Sequence, residues 1–262
     1  MQALNALWLL FLAQLRALLL SKRFLVCCLL ALGPVAAAAL VRYIAASEGD
    51  GVPAFEVGWV LIVQGTVPLL ALVLGSAVVA EEIEDRTLTY LFTRPVPRAV
   101  VLLGRWLATL LLTELLILGC AVATFAILEG GAVPGSPWAL PPGMDRALIR
   151  VALIGGLVYS ALFSTAGALV KHPMIAGIGY AFVVEGFVAN LPGQNPGLTV
   201  QFHLKSHLAG AGPGFAERMR HLTSHQELLP PDEALRGLWI LLLVALALGC
   251  LAISRRQYVF PA

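Results

Sequence analysis

EEIEDRTLTYLFTRPVPRAVVLLGR, residues Glu81–Arg105, places eight charged residues between two long apolar runs. Its four acidic residues all precede its four arginines. Acids near the start of a helix and bases near its end complement the helix dipole, so the order predicts a short helix over Glu82–Phe92. Pro95 and Pro97 then end that helix, because proline lacks the backbone N–H that a helix interior needs. The stretch therefore predicts a charged helical loop between two hydrophobic segments.

The composition around this loop is that of a membrane protein. Of the 262 residues, 59% are apolar and only 12% are charged, with a mean hydropathy of +0.88. A soluble domain carries about 25% charged residues, so the chain is predicted to be an all-α, multi-pass membrane protein. A net charge of +2 gives no reason to expect nucleic acid as a partner. The four cysteines each lie inside an apolar run, without the spacing of a zinc site or a disulfide framework.

Six hydrophobic segments approach the length of about 20 residues that crosses a bilayer as a helix. The predicted spans cover residues 24–44, 57–80, 100–128, 147–170, 174–191 and 237–253, within a single transmembrane domain of residues 1–262. Residues 4–20 are apolar but interrupted by Gln14 and Arg16. This segment is predicted to be an amphipathic helix in the cytoplasmic interface, with a further span as the alternative.

The orientation follows from the basic residues between the spans. Ten lie on one side of the predicted topology and three on the other, leaving out the long segment before the last span. Because basic residues accumulate on the cytoplasmic side, both termini and the Glu81–Arg98 loop are predicted to be cytoplasmic, in a cell (inner) membrane. The ten are Arg16, Lys22, Arg23, Arg86, Arg94, Arg98, Arg105, Lys171, Arg255 and Arg256, and the three are Arg42, Arg146 and Arg150.

The run AEEIEDRTLTYLFTRPVPRAVVLLGRWLATLLL resembles the cytoplasmic loop of type-two ABC exporter permeases. In that family an acidic segment is followed by a Thr-Leu pair, two leucine-like positions, a Pro-x-x-Arg turn and a Gly-Lys/Arg pair in the next span. The corresponding residues here are Thr87, Leu88, Leu91, Pro95, Arg98, Gly104 and Arg105. The sequence departs from the family at Asp85-Arg86, where many members carry a glycine before the threonine.

The resemblance implies a permease subunit that pairs with a second permease copy, in a homodimer or a heterodimer. It also implies that separate ATP-binding subunits dock on the cytoplasmic helix. The sequence contains no G-x-x-x-x-G-K-[ST] loop, so ATP and Mg²⁺ are expected on the partner and no enzymatic site in this chain. The residues expected to couple to the partner are Glu82, Glu84, Asp85, Arg86, Thr87, Leu88, Leu91, Pro95 and Arg98.

In the same family, short re-entrant or interfacial helices before the last span cap the outer exit. The stretch Asn190–Arg236, rich in proline and glycine at its start, has a composition that permits such helices. It also contains two histidine pairs at i, i+4 spacing, His203/His207 and His221/His225. On helices each pair either binds a metal ion or faces water at the membrane surface, and the sequence leaves both interpretations open.

Two acidic residues lie inside predicted spans, Glu114 in the third and Glu185 in the fifth. An ionisable group within a membrane is costly and marks a pathway, an interface or a polar partner. For Glu114 the neighbouring Thr113 offers a hydrogen bond within the span, and Glu185 is predicted to line the pathway or the dimer interface. The transported substrate does not follow from the sequence.

Two alternatives belong to other classes of protein. The pattern E-E-x-x-x-R at Glu81, Glu82 and Arg86 resembles the first motif of prenyl-endopeptidase-like intramembrane metalloproteases. That family also needs histidine motifs inside spans, and the predicted spans contain no histidine. The second alternative is a membrane scaffold or sensor without transport, which would bind no ATPase.

Overall fold

The computed structural model describes residues 2–48, 54–78, 97–130, 140, 142–170, 172–187, 197, 199–212, 215 and 228–255. No β-strand occurs within these ranges, and the prediction of an all-helical protein is confirmed. The helices are α1 (Gln2–Leu19), α2 (Lys22–Glu48), α3 (Ala54–Glu56), π1 (Val57–Thr66), α4 (Val67–Gly75), α5 (Arg98–Glu129), α6 (Met144–Leu169), α7 (Pro173–Gly179), π2 (Tyr180–Phe187), α8 (Val200–Ala209) and α9 (Pro231–Arg255).

Five of the described helices are long and apolar enough to cross a membrane. They are Lys22–Ile44, Ala54–Gly75, Ala99–Glu129, Met144–Leu169 and Pro231–Ser254. Two shorter apolar helices, Ala6–Leu19 and Pro173–Gly186, fall below the length of about 20 residues that a membrane span needs. Five of the six predicted spans therefore correspond to membrane-length helices, and the predicted span 174–191 corresponds to the shorter α7–π2 segment.

The second hydrophobic segment is continuous from α3 through π1 to α4, but its middle has π-helical winding. The N–H of Val67 donates to the carbonyl of Ile62, five residues earlier, and the Thr66 hydroxyl donates to the Leu61 carbonyl at 2.7 Å. A π-helix joins residue i to i+5, whereas an α-helix joins i to i+4, and such segments are frequent at functional sites. The segment π2 has the same winding.

Helices α4 and α6 form the centre of the bundle, where their backbones approach closely. A Cβ added to Gly167 of α6 would lie 3.0 Å from the carbonyl oxygen of Ser76, just beyond α4. Trp59, Tyr159 and Phe163 are the largest side chains buried in this core. Helix α5 packs on the same pair, and α9 lies against α6 and α5.

The two ends of the bundle are defined by contacts between helix termini. At the end we call the loop end, Val78, Leu102, Ala168 and Ile253 form one buried apolar cluster. These residues follow α4, begin α5, end α6 and end α9, so α4, α6 and α9 run in one direction and α5 runs in the opposite direction. At the opposite end, the far end, Arg42 of α2 donates to the last carbonyls of α5.

Helix α1 packs along α5. Leu18 and Gln14 of α1 are buried, whereas Trp8 is exposed and stacks on Phe11 with ring centroids 5.4 Å apart. The approach is close because a Cβ on Gly104 of α5 would lie 3.1 Å from the Leu7 carbonyl oxygen. Gln14, which interrupts the apolar pattern in the sequence, therefore faces the protein.

Candidate functional site

The predicted coupling residues lie almost entirely outside the described residues. Arg98 is the exception, since its backbone begins α5. The residues outside are Glu81, Glu82, Glu84, Asp85, Arg86, Thr87, Leu88, Leu91 and Pro95. The structure describes the helix ends on either side of that loop and the contacts between them.

The loop end joins the helix before the coupling loop directly to the helix after it. Nη1 of Arg105, in the second turn of α5, donates to the Val78 carbonyl at 3.4 Å. Val78 itself is buried among Leu102, Ala168 and Ile253, which belong to the starts and ends of three other helices. Val78 therefore contacts α5 through Arg105 and Leu102, and it contacts α6 and α9 through apolar packing.

Gly104 and Arg105, the Gly-Arg pair of the family resemblance, serve two different contacts. Gly104 provides the space for α1, and Arg105 reaches the opposite way to the end of the second span. Adjacent positions on a helix point about 100° apart, so one dipeptide can contact two neighbouring elements. The pair thus connects α1, α5 and the segment after α4.

A second polar site is built around Glu185, in π2. Its side chain is only 4% exposed, and both carboxylate oxygens accept hydrogen bonds. Oε1 accepts from the Tyr180 hydroxyl at 2.7 Å and from the Val200 N–H at 3.0 Å, and Oε2 accepts from the Gln201 N–H at 2.9 Å. The two N–H groups belong to the first turn of α8. Glu185 therefore caps a helix that follows it in the chain by 15 residues.

The π winding explains how Tyr180 and Glu185 meet. They are five residues apart, the same separation that the backbone hydrogen bonds of a π-helix connect. Tyr159 of α6 lies beside this pair, and Phe163 packs edge-on against Tyr180 with ring centroids 6.0 Å apart. The hydroxyl of Tyr159 and Oε1 of Gln201 are buried without a hydrogen-bond partner among the described residues.

Helix α8 connects this site to the second span. Nε2 of Gln201 donates to the Val63 carbonyl of π1 at 3.1 Å.

Lys205, one turn further along α8, is 3% exposed and lies within electrostatic range of Glu185. Burial lowers the pKa of the Lys205 ammonium, and the Glu185 carboxylate acts in the opposite direction. Helix α8 is not one of the membrane-length helices. Within six residues it nevertheless carries four buried polar side chains, those of Gln201, His203, Lys205 and Ser206.

The other side of α8 packs into spaces left by glycine. A Cβ on Gly155 of α6 would lie 3.0 Å from the Leu204 side chain, and one on Gly237 of α9 would collide with the His203 ring. Gly155 is eleven residues into α6, or roughly 16 Å at 1.5 Å per residue. Helix α8 therefore reaches well into the bundle from the far end.

Of the histidine pair on α8, His203 is buried and does not face water, whereas His207 is half-buried. His203 is buried with Nδ1 2.9 Å from the Thr199 carbonyl, and Nδ1 of His207 lies 3.3 Å from the Pro231 carbonyl. His221 and His225 lie outside the described residues. Among the residues that are described, no group of three or more His, Cys, Asp or Glu side chains is placed to hold a metal ion.

Glu114 occupies a separate place, between α5 and α6. Its carboxylate lies against Gly156, where an added Cβ would be 2.7 Å from Oε1. Both oxygens are buried, and neither has a hydrogen-bond partner in the described part of the chain. The Thr113 hydroxyl donates to the Thr109 carbonyl at 2.8 Å, so the expected pairing of Thr113 with Glu114 does not form. The structure does not join Glu114 to Glu185.

Several members of the Glu185 site were not predicted from the sequence. Tyr159, Tyr180, Gln201 and Lys205 belong to three separate elements and share no spacing motif. The one local signal is Thr199, which begins α8 as an N-cap: its hydroxyl accepts from the Phe202 N–H at 3.3 Å. A threonine cap before a polar helix predicts the helix but not its burial.

The five long apolar helices in the described part of the chain define a multi-pass membrane protein. Its family follows from comparison: the ABC-2 family of transporter proteins matches residues 10–256, and the chain belongs to that family. The predicted resemblance to type-two ABC permeases is confirmed, and the chain is a membrane transport permease. A comparison with curated proteins gave no match.

Proposed function

We propose that this chain is the permease subunit of an ABC exporter whose energy comes from a separate ATP-binding subunit. Membership of the ABC-2 family supports the permease role. The observation that carries the coupling is the bond from Arg105 to the Val78 carbonyl, because it ties the two helices that the charged loop connects.

In this proposal the domain spans the membrane six times. The segment α7–π2 is the short fifth span, and α1 lies in the interface with its Trp8–Phe11 face toward lipid. The loop end is cytoplasmic and the far end faces outward, as the distribution of basic residues predicts. Both termini are then cytoplasmic, in the cell (inner) membrane.

The mechanism we infer is transmission of a rigid-body movement. ATP and Mg²⁺ are bound by the partner, since this sequence has no phosphate-binding loop. Closure of two ATP-binding subunits moves the Glu82–Phe92 helix of each permease. Arg105 and the Val78 cluster pass that movement to α5, α6 and α9, and a second permease copy completes the pathway across the bilayer.

The proposal is tested by purifying the tagged chain from its native membrane in mild detergent. A co-purifying subunit that is photolabelled by 8-azido-ATP is the expected result. Charge reversal of the loop, Glu82→Lys with Glu84→Lys and Arg98→Glu, should abolish this labelling because it reverses the docking charges. The matched control reverses charges at the far end, Asp145→Lys with Arg146→Glu, and should leave the labelling unchanged.

The same experiment separates the alternatives. A chain that co-purifies with no ATP-labelled subunit behaves as a scaffold or sensor. A loop variant that retains the labelled partner and full ATP-dependent transport removes the coupling role from Glu82, Glu84 and Arg98.

A further inference from the structure

The first turn of helix α8 takes its hydrogen-bond acceptors from another helix. The first four N–H groups of any helix lack partners within it. At α8 the Thr199 hydroxyl serves Phe202, while the Glu185 carboxylate serves Val200 and Gln201. The start of α8 is therefore fixed to π2, and its position depends on a side chain that is not part of α8.

A second attachment fixes α8 to the other π-helical segment. The side-chain amide of Gln201 donates to the Val63 carbonyl in π1, and the backbone N–H of the same residue donates to Glu185 in π2, so Gln201 alone bonds to two different hydrophobic segments. Helix α8 thus connects the second span to the α7–π2 segment, and its sides pack on α6 and α9.

The charge of Glu185 suits this attachment. A carboxylate is stabilised at a helix N-terminus by the helix dipole, and hydrogen bonds to an ionised group are the strong ones. The nearby Lys205 on the same helix adds an opposite charge. Withdrawing α8 would remove two of the three hydrogen bonds that the described residues donate to this buried carboxylate, which is costly for an ionised group.

We propose that Glu185 is a positioning residue that holds helix α8 in the far end of the permease and so keeps that end closed. This inference rests on the proposed function, in which the far end is the exit. Since α8 reaches about as deep as Gly155, it fills the space between α6, α9 and π1 at that end while it stays attached. Export then requires α8 to leave Glu185 or to move together with π2.

Glu185→Gln is the sharpest variant because it keeps the size of the side chain. The single carbonyl oxygen of the amide can accept hydrogen bonds from Tyr180 and Val200, or it can accept the hydrogen bond from Gln201. It cannot replace both oxygens of the carboxylate. In either arrangement an amide N–H faces a backbone N–H of α8, and one donor of the first turn loses its acceptor. The start of α8 should detach more often without loss of the surrounding fold.

The experiment measures how often α8 detaches. In a background with Cys27, Cys28, Cys120 and Cys250 changed to alanine, Ser206→Cys introduces a near-isosteric thiol at a position that is 0% exposed. The protein is placed in lipid nanodiscs, where both faces are accessible, and labelled with a water-soluble maleimide without nucleotide. Glu185→Gln should speed labelling about tenfold, which corresponds to about 1.4 kcal/mol. Gln201→Met, which removes the bond to Val63, should also speed it.

Two controls separate detachment from general loosening. Glu129→Gln removes an exposed carboxylate at the far end of α5 and should leave the Ser206→Cys rate unchanged. A second reporter, Thr124→Cys, lies in α5 at a fully buried site whose hydroxyl has no hydrogen-bond partner among the described residues. Its labelling should not respond to Glu185→Gln.

The proposal is overturned if Glu185→Gln leaves Ser206→Cys labelling within twofold of the parent, or if Thr124→Cys accelerates equally. The proposed function is tested separately by the co-purification of an ATP-labelled subunit. If no such subunit co-purifies while Glu185→Gln still accelerates labelling, the export function fails and the positioning role of Glu185 stands.

Discussion

Arg105 and Val78 lie on opposite sides of the charged loop in the sequence, yet the Arg105 Nη1 and the Val78 carbonyl oxygen are 3.4 Å apart. The described chain on the two sides of the loop is therefore joined by one cationic side chain and a buried apolar cluster. In the function that we propose, this connection passes movement of the loop to the helices, and Arg105 of the Gly-Arg pair is part of it.

Replacing Arg105 by Met should weaken that base without unfolding the protein. The bond is at the long end of the hydrogen-bond range, so we expect a loss of about 1 kcal/mol in unfolding free energy. That corresponds to a fall in Tm of about 2–4 °C, measured by thermal unfolding in detergent. Arg16→Met, an exposed arginine on α1, is the control. Equal Tm values for the two variants would contradict a role for Arg105 at the loop end.

The membrane-length helices were predictable because each is a long apolar run, and bilayer thickness sets the length of such runs. Their bounds differ from the predicted ones by a few residues, since α9 begins at Pro231 while hydropathy places its start near residue 237. Gly104 and Arg105 carried part of the family resemblance in the sequence, and the structure adds what each residue contacts.

The Glu185 site was not predictable from pattern. The run Gln201, His203, Lys205 and Ser206 is polar, and polar helices usually lie at a surface. Here Gln201 is buried with Glu185 and Val63, both distant in the sequence, as its hydrogen-bond acceptors, and Ser206 accepts from the N–H of Leu229. The π winding was also hidden, since hydropathy is the same whether residues are joined i to i+4 or i to i+5.

At the far end, Arg42 should stabilise the contact between α2 and α5. Its guanidinium donates to the Ile127 carbonyl at 2.6 Å and to the Gly130 carbonyl at 3.1 Å, and such carbonyls at the end of a helix lack partners within it. Arg42→Ala should lower unfolding free energy by about 1 kcal/mol, discounted because the side chain is exposed. Arg146→Ala at the same end should change Tm by under about 1 °C. A fall equal in both variants would indicate a general charge effect.

Gly167→Ala should be the most damaging glycine change in the bundle centre. The new methyl would lie 3.0 Å from the Ser76 carbonyl oxygen, a backbone atom that no rotamer change can move. Overpacking of this kind costs about 1–3 kcal/mol. Gly119→Ala in α5 has nothing within 4 Å and should be neutral or stabilising, since alanine favours a helix over glycine. Thermal unfolding of the two variants beside wild type measures the difference, and a Gly167→Ala protein as stable as Gly119→Ala would disprove the close α4–α6 contact.

Lys205 should make stability rise with pH. Burial lowers its pKa in the folded protein, whereas in the unfolded chain the pKa is near the ordinary value of 10.5. Between those two values the unfolded state binds more protons than the folded state, so raising the pH favours folding. The rise continues up to the unfolded pKa and then stops. Lys205→Met removes this titration, and its Tm should increase less between pH 7 and about pH 10.

The comparison between variants isolates Lys205, because every other ionisable group is present in both proteins. Lys22→Met, which removes an exposed lysine at the start of α2, should keep the wild-type dependence on pH. Glu185 is the acidic group that faces Lys205, so Glu185→Gln should steepen the dependence by removing the charge that holds the Lys205 pKa up. If Lys205→Met and wild type gain the same Tm on raising the pH, the ammonium is not buried in the folded protein as the structure places it.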